Sequence, residues 1–272
     1  MSSTLKLATV VVCWHPDDNL LLNIASYSSG TDFLYVWDNT PGGSMLVNSI
    51  KNAVILNRGN QNMGLAYAYN RAIELALKQG ATHIMTMDQD SRFDNFAFFR
   101  QCLELYPEDM ICPPLNSSST TDNKVISHAA QSGCVFPMEM IKRVGAFRED
   151  FFIGMVDVEM QLKAQSAGYK IIQIGGCSLN HHIGSERKVY LFKHPVSVSD
   201  YTPLRLYYDS RNRILMWKEF PYDYSLKHKI RHLFGRLKVL TKIWLFEDHK
   251  FSKTKAIVRG TFNGLFNRLY PF

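Results

Sequence analysis

A chain of 272 residues with 46% hydrophobic and 20% charged content can bury a full core, and this composition excludes a disordered or fibrous protein. No run of about 18 apolar residues occurs, which excludes a membrane-spanning helix on hydropathy. Five scattered cysteines without C-x-x-C spacing argue against a disulfide framework or zinc site, and fit a reducing cytoplasm. The net charge of +7 is uneven: residues 226–272 hold eleven Lys and Arg against Glu247 and Asp248, while the remainder carries −2. A basic tail of this kind wants an anionic partner.

In chain order, Lys6 and the apolar run to Trp14 faintly resemble a signal peptide. The run lacks a small-residue cleavage site, so residues 5–13 read as a first buried strand of β-branched residues. Trp14-His15-Pro16-Asp17-Asp18 is a turn, and Asn19 to Tyr27 a short helix. Phe33 to Trp37 is a second strand running into the turn Asp38-Asn39-Thr40-Pro41-Gly42-Gly43. Val54 to Leu56 is a third, short strand. After a polar loop, Gly64 to Lys78 is a helix, with Leu65, Ala68, Ala72, Leu75 and Ala76 at helical spacing. Gly80 ends it. A fourth strand follows and stops at Asp88-Gln89-Asp90-Ser91. A helix over 95–105 with Asp94 as N-cap comes next, then a loop over 107–124, a strand turning into a helix over 135–144, a helix through Ser166, and a strand from Lys170 to Ile174 that leads towards His181-His182. Alternating strands and helices imply a doubly wound, mostly parallel sheet flanked by helices.

The Asp88-Gln89-Asp90 stretch organises the rest. Residues two apart on an extended chain face the same side, and ligands of open α/β sheets bind at the carboxyl ends of strands. Paired carboxylates repel unless a cation lies between them, and Mg²⁺ or a similar hard ion is often shared between carboxylates and a substrate's phosphates. The plainer alternative is one acid as a helix N-cap and the other solvated. Phe151-Phe152-Ile153-Gly154-Met155-Val156-Asp157-Val158-Glu159 is a second place where an apolar stretch abruptly holds two acids.

The order of these motifs resembles family-2 inverting glycosyltransferases of the GT-A fold, closest to the bacterial rhamnosyltransferase branch. The resemblance covers roughly residues 5–215. It rests on Val10-Val11-Val12 with Pro16, Val36-Trp37-Asp38-Asn39, Asn60-Gln61-Asn62-Met63-Gly64 with Asn70-Arg71-Ala72-Ile73, and Met87-Asp88-Gln89-Asp90-Ser91. It continues through Ser132-Gly133 with Val144-Gly145, Phe151-Phe152-Ile153 with Val156-Asp157, Gly168-Tyr169, His181, and Pro203-Leu204-Arg205-Leu206-Tyr207-Tyr208 with Arg211-Asn212. The last block points to the rhamnosyltransferase branch. The resemblance implies a metal (Mg²⁺ or Mn²⁺) held by Asp90, Asp88 and His181, with His182 a poorer match. It implies donor contacts from Pro16, Asp38, Asn62, Gly64, Arg71, Asp88, Ser132, Gly133 and Arg211, and a catalytic base at Asp157, with Glu159 as the alternative. If 157–166 is helical, the two acids lie about 200° apart and cannot both face the substrate. Asp38 has the alternative of only starting its turn, Arg71 of being a surface residue, His181 of being a satisfied polar residue after its strand, and Asp157 of serving as a helix N-cap. Two positions depart from the family: Gly154 stands where many relatives carry an acid, and Lys163 where they carry arginine.

The expected activity is transfer of one sugar, L-rhamnose from dTDP-rhamnose, to a hydroxyl of a glycan or lipid-linked glycan. A UDP-hexose donor is the alternative, and a non-catalytic carbohydrate-binding relative stands behind it. No Gln-x-x-Arg-Trp, the mark of processive synthases, is present. A nucleotidyltransferase ranks low, because Cys13-Trp14-His15-Pro16 replaces the Gly-rich basic loop. The expected domains are a catalytic domain over 1–220 and a basic helical extension over 221–272. In the extension Leu233, Leu237, Leu240, Ile243 and Trp244 follow helical spacing. That extension suits peripheral contact with the inner face of the cell membrane by a cytoplasmic protein, or docking in a homodimer; nucleic acid is not an expected partner.

Overall fold

The computed structural model describes residues 5–57, 59, 61–116, 121–181, 187–191 and 193–269. Asn60 and His182 fall outside them. The first half follows the expected alternation: β1 (Leu7–Cys13), α1 (Leu20–Ser28), β2 (Phe33–Asp38), α2 (Met45–Asn48), β3 (Val54–Leu56), α3 (Leu65–Lys78) and β4 (His83–Asp88). Then come β5 (Ser91–Asp94), α4 (Phe96–Cys102), β6 (Met110–Cys112), β7 (Lys124–Ile126), β8 (Val135–Pro137), α5 (Met138–Val144), α6 (Val156–Ser166), β9 (Ile171–Gln173) and β10 (Ser178–His181). The chain closes with β11 (Arg187–Leu191), β12 (His194–Val198), α7 (Pro203–Glu219), α8 (Leu226–Phe246) and α9 (Lys250–Leu265).

Among the described residues the main sheet has the order β3-β2-β1-β4-β8-β6-β9-β7. Its first four strands are parallel, and β8 and β7 run antiparallel to their neighbours. Every residue of β1 is buried, as a central strand covered on both faces requires. Two strands, β6 and β7, lie inside or beside the stretch read as a loop. They are three residues each, too short for an alternating pattern to declare itself. The N-cap of α4 is Asn95, not Asp94: Asn95 is left-handed (φ 58°) and its side chain accepts from the Phe98 N–H, while Asp94 ends β5.

Two compact units emerge, and their boundary differs from the one expected near residue 220. The first comprises residues 1–149 and 156–182 and holds the sheet; the second comprises 150–155 and 183–272. The reason is α7, which packs on α9 rather than ending a catalytic domain. Gly260 and Gly264 of α9 leave room for the α7 backbone: a Cβ at Gly260 would lie 2.3 Å from the Tyr207 carbonyl oxygen, and one at Gly264 2.8 Å from that of Arg211. The Asn263 amide donates to the Tyr207 hydroxyl at 2.8 Å, and Lys218 Nζ donates to the Gly264 carbonyl at 3.0 Å. Gly260→Ala is therefore expected to lower the thermal midpoint, with an overpacking cost of about 1–3 kcal/mol. A melting curve matching wild type would show that the two helices separate freely.

Candidate active site

Strand register brings the acidic strand ends together. Cys13 pairs with Asp38, and the adjacent Val12 pairs with Asp88, so β2, β1 and β4 finish at one edge. Two strand spacings separate Asp38 from Asp88, or roughly 10 Å. Beyond β4 the chain turns and β5 pairs antiparallel with β10, setting His181 opposite Ser91. One ligand atom from each of Asp88, Asp90 and His181 then lies within 4.8 Å of the others.

A hydrogen-bonded relay fixes this turn. His181 Nδ1 shares a 2.8 Å bond with Ser91 Oγ, Ser132 Oγ donates to Ser91 Oγ at 2.7 Å, and the Asp88 N–H donates to Ser132 Oγ at 3.0 Å. Both serines are buried. Next to Ser132, Gly133 has φ 83° and donates its N–H to the Thr86 carbonyl at 2.8 Å. A Cβ there would meet Pro113 at 2.7 Å. Ser132 and Gly133 thus support the acidic turn from behind.

The middle residue, Gln89, was not singled out from sequence, and it holds the turn after β1. The Trp14 N–H donates to Gln89 Oε1 at 2.7 Å, and Gln89 Nε2 donates to the Trp14 carbonyl at 3.1 Å. Asn23 Nδ2 donates to the Gln89 carbonyl at 2.9 Å. Pro16 follows in that turn and is half-buried. No sequence signal marks Gln89 for this work beyond its place between the two acids. Outer-shell partners typically change metal affinity by about 10–100-fold. Gln89→Ala is expected to weaken Mn²⁺ binding within that range, read by calorimetry in the presence of a nucleoside diphosphate. Unchanged Mn²⁺ affinity would make the clamp irrelevant to the site.

The cluster fits a divalent ion. Asp90 Oδ1 is buried without a well-formed hydrogen bond among the described residues, although it lies 3.3 Å from His181 Nδ1. A buried oxygen left in that state is costly unless a cation completes it. Two carboxylates and an imidazole suit Mn²⁺ or Mg²⁺. The Asp90 carboxylate, against the opposing pull of burial, holds the His181 imidazolium above its ordinary range.

Asp157 lies in the first turn of α6 and is half-buried. A helix N-terminus suits a carboxylate. The buried Tyr69 hydroxyl lacks a hydrogen-bond partner among the described residues. Its pKa is raised well above normal by burial first, then by the charges of Asp88 and Asp157. One phenol therefore feels both acids, and the Asp88–Asp90–His181 cluster and Asp157 border the same region of the first unit. Glu159 is different: it is 2% exposed and paired with Lys163 at 3.1 Å. The alternative base is thus a buried ion pair within α6.

Other expected donor contacts have local partners. Asp38 is buried, its Oδ1 accepting the Thr40 N–H at 2.9 Å and its Oδ2 the Ser44 N–H at 2.7 Å. It closes its turn, as the plainer alternative held. Asn62 Oδ1 accepts the Gly64 N–H at 2.9 Å, and Gly64 (φ 80°) starts α3 with no side-chain cap on the helix. Asn39, unassigned from sequence, ties this loop to β2: its Oδ1 accepts from the Met63 N–H at 3.0 Å and from Trp37 Nε1 at 2.9 Å. Two further expected donor contacts, Arg71 and Arg211, also have local partners. Arg71 points to Glu74 at 2.9 Å and Glu149 at 3.3 Å and lies over the Tyr67 ring, an ion-paired surface residue of α3. Arg211 is fully buried in the second unit, donating to the Asp150 carbonyl and to Asn212 Oδ1 and lying against the Tyr208 ring. A guanidinium so enclosed braces the 150–155 segment.

The fold is shared with solved enzymes. A structure of GalNAc-T7 with UDP, GalNAc and Mn²⁺ superposes with a TM-score of 0.58 at 11% identity, covering 81% of this chain and 50% of that one. S. aureus TarS gives 0.53 at 12% identity, covering 90% and 44%. The chain thus spans about half the length of each. The likeness is one of fold, a GT-A-type sheet flanked by helices, here with an acid-lined strand end. In sequence the chain is similar to the dTDP-rhamnosyl transferase RfbF of Shigella flexneri, with 24% identity over 96% of this chain and 95% of that protein. No protein-family model matches the chain.

Proposed function

We propose that the protein transfers a single sugar, with inversion, from a nucleoside diphosphate donor to a hydroxyl of a glycan or lipid-linked glycan. The observation that carries this reading is the convergence of Asp88, Asp90 and His181 within 4.8 Å, with the Asp90 Oδ1 making no well-formed hydrogen bond among the described residues. These residues would hold Mg²⁺ or Mn²⁺; when bound, the ion supplies positive charge against the diphosphate as the leaving group departs. Ser91 and Ser132 orient His181, and Gln89 keeps the turn after β1 in place. Asp157 accepts the proton of the acceptor hydroxyl, the task of a general base in an inverting transfer. The uncapped start of α3 at Asn62 and Gly64 offers backbone N–H groups to diphosphate oxygens. Asp38, though spent on its turn, lies at the strand edge where a nucleoside would rest.

The name of the Shigella relative supports dTDP-rhamnose as donor. A UDP-hexose is the second reading, favoured by the UDP and GalNAc in the GalNAc-T7 structure. A lipid-linked acceptor would be met at the inner face of the cell membrane by a protein working there from the cytoplasm. Incubation with dTDP-rhamnose or UDP-hexoses and Mn²⁺, read as nucleoside diphosphate release, separates the donors. Faster release from dTDP-rhamnose is expected; release from a UDP-hexose alone would select the second reading, and release from no donor would sink the proposal.

A further inference from the structure

The C-terminal helices carry a surface that sugar transfer does not explain. The sequence groups Leu233, Leu237, Leu240, Ile243 and Trp244 as one stripe, and the structure splits them. Leu240 and Ile243 turn inward, packing with Val239, Leu206 and Ile257. Further round that inward side, His232 meets the Trp217 ring edge-on and Arg236 pairs with Asp209. On the adjoining solvent side of α8, Leu226, Ile230, Leu233, Phe234, Leu237 and Trp244 are all exposed. At about 100° per residue they span about a third of the helix circumference. Lys227, Arg231 and Lys238 run along one border of that stripe, and all three are exposed.

A second stripe continues it. On α9 and its C-cap, Phe251, Val258, Phe262 and Phe266 are exposed at helical spacing. The two stripes meet where the Trp244 and Phe251 rings contact edge-on, 5.2 Å between centroids, with Trp244 Nε1 donating to Thr254 Oγ1 at 3.1 Å. Monomeric soluble proteins rarely leave contiguous apolar patches of this kind in water.

Charge decides the occupant. The segment 226–272 carries a net +9, and Glu247, one of its two acids, is buried against Lys253. A second copy would bring the same charge to the same face. Nucleic acid would satisfy the lysines and leave the stripes in water. An anionic lipid surface satisfies both, with apolar side chains at the headgroup boundary and Lys and Arg among the headgroups. No helix among the described residues is long and apolar enough to cross a membrane. We propose that the exposed faces of α8 and α9 form one membrane-docking surface that lies on an anionic bilayer. The assignment stands on the helices and does not depend on the donor or the acceptor.

The test uses the full chain and vesicles of phosphatidylglycerol mixed with phosphatidylcholine, with pure phosphatidylcholine vesicles as the neutral arm. Sedimentation should show binding to the anionic vesicles that weakens as salt rises and the Debye length falls below about 10 Å. The variant Leu233→Ser/Phe234→Ser/Leu237→Ser changes exposed positions without altering charge. It should lose about tenfold or more of the binding, with an unchanged melting curve and unchanged affinity for nucleoside diphosphate with Mn²⁺. Absence of vesicle binding by the wild type, or equal binding by the variant, would overturn the proposal. A wild-type dimer that becomes a monomer in the variant, without vesicle binding, would overturn it in favour of a second copy.

Discussion

Replacing Asp90 by alanine is expected to abolish metal-dependent binding of a nucleoside diphosphate while leaving the fold intact. Among the described residues Asp90 pairs with His181 at 3.3 Å through a side chain that is 42% exposed, and a pair so exposed contributes little to the folded state. The substitution takes one of only two carboxylates from the candidate ligand set. Loss of a ligand should exceed the range for outer-shell partners, so affinity for Mn²⁺ should fall by more than about 100-fold. Calorimetry with nucleoside diphosphate and Mn²⁺ measures this, and a thermal melt controls for folding. An Asp90→Ala protein that binds as wild type would remove the metal assignment, whatever the fate of activity.

Asp157→Asn is expected to lower turnover by roughly 10²–10⁴-fold, the usual cost of losing a general base, with donor affinity retained. Asparagine keeps the size of the side chain and can still accept a backbone N–H in the first turn of α6, so the helix should survive. Glu159→Gln is the informative contrast. Glu159 is buried against Lys163, and neutralising it leaves Lys163 with the Ala146 carbonyl at 2.7 Å but without the carboxylate's counter-charge. That variant should melt earlier and retain its turnover per folded molecule. A folded, inactive Glu159→Gln beside an active Asp157→Asn would show that the base is misassigned.

Much of the site was legible because its signals are local. Asp88 and Asp90 stand two apart at the end of an apolar run, and the strand period alone puts them on one side. The helical period separates Asp157 from Glu159, and the structure assigns them different surroundings accordingly. Hydrophobic alternation between strands and helices was enough to announce β1 to β4 and their parallel order, because each is either long or flanked by turn residues.

What the sequence by itself determined, then, was the acidic strand end, the alternation that builds the sheet, and a tail rich in both Lys/Arg and large apolar residues. Only the tertiary structure decided which partners those residues take. His181 reaches Asp90 through the pairing of β10 with β5, about ninety positions apart in the chain, which no local period encodes. Gln89 became a clamp because the parallel register of β1 and β4 brings Trp14 beside it. Arg71 meets Glu149 and Arg211 the Asp150 carbonyl, since a long guanidinium binds whichever acceptor the fold brings within reach. The tail's apolar residues were divided between core and surface by the packing of α8 and α9. Helical spacing lists which side chains share a face, and only the neighbouring helix determines which face is buried.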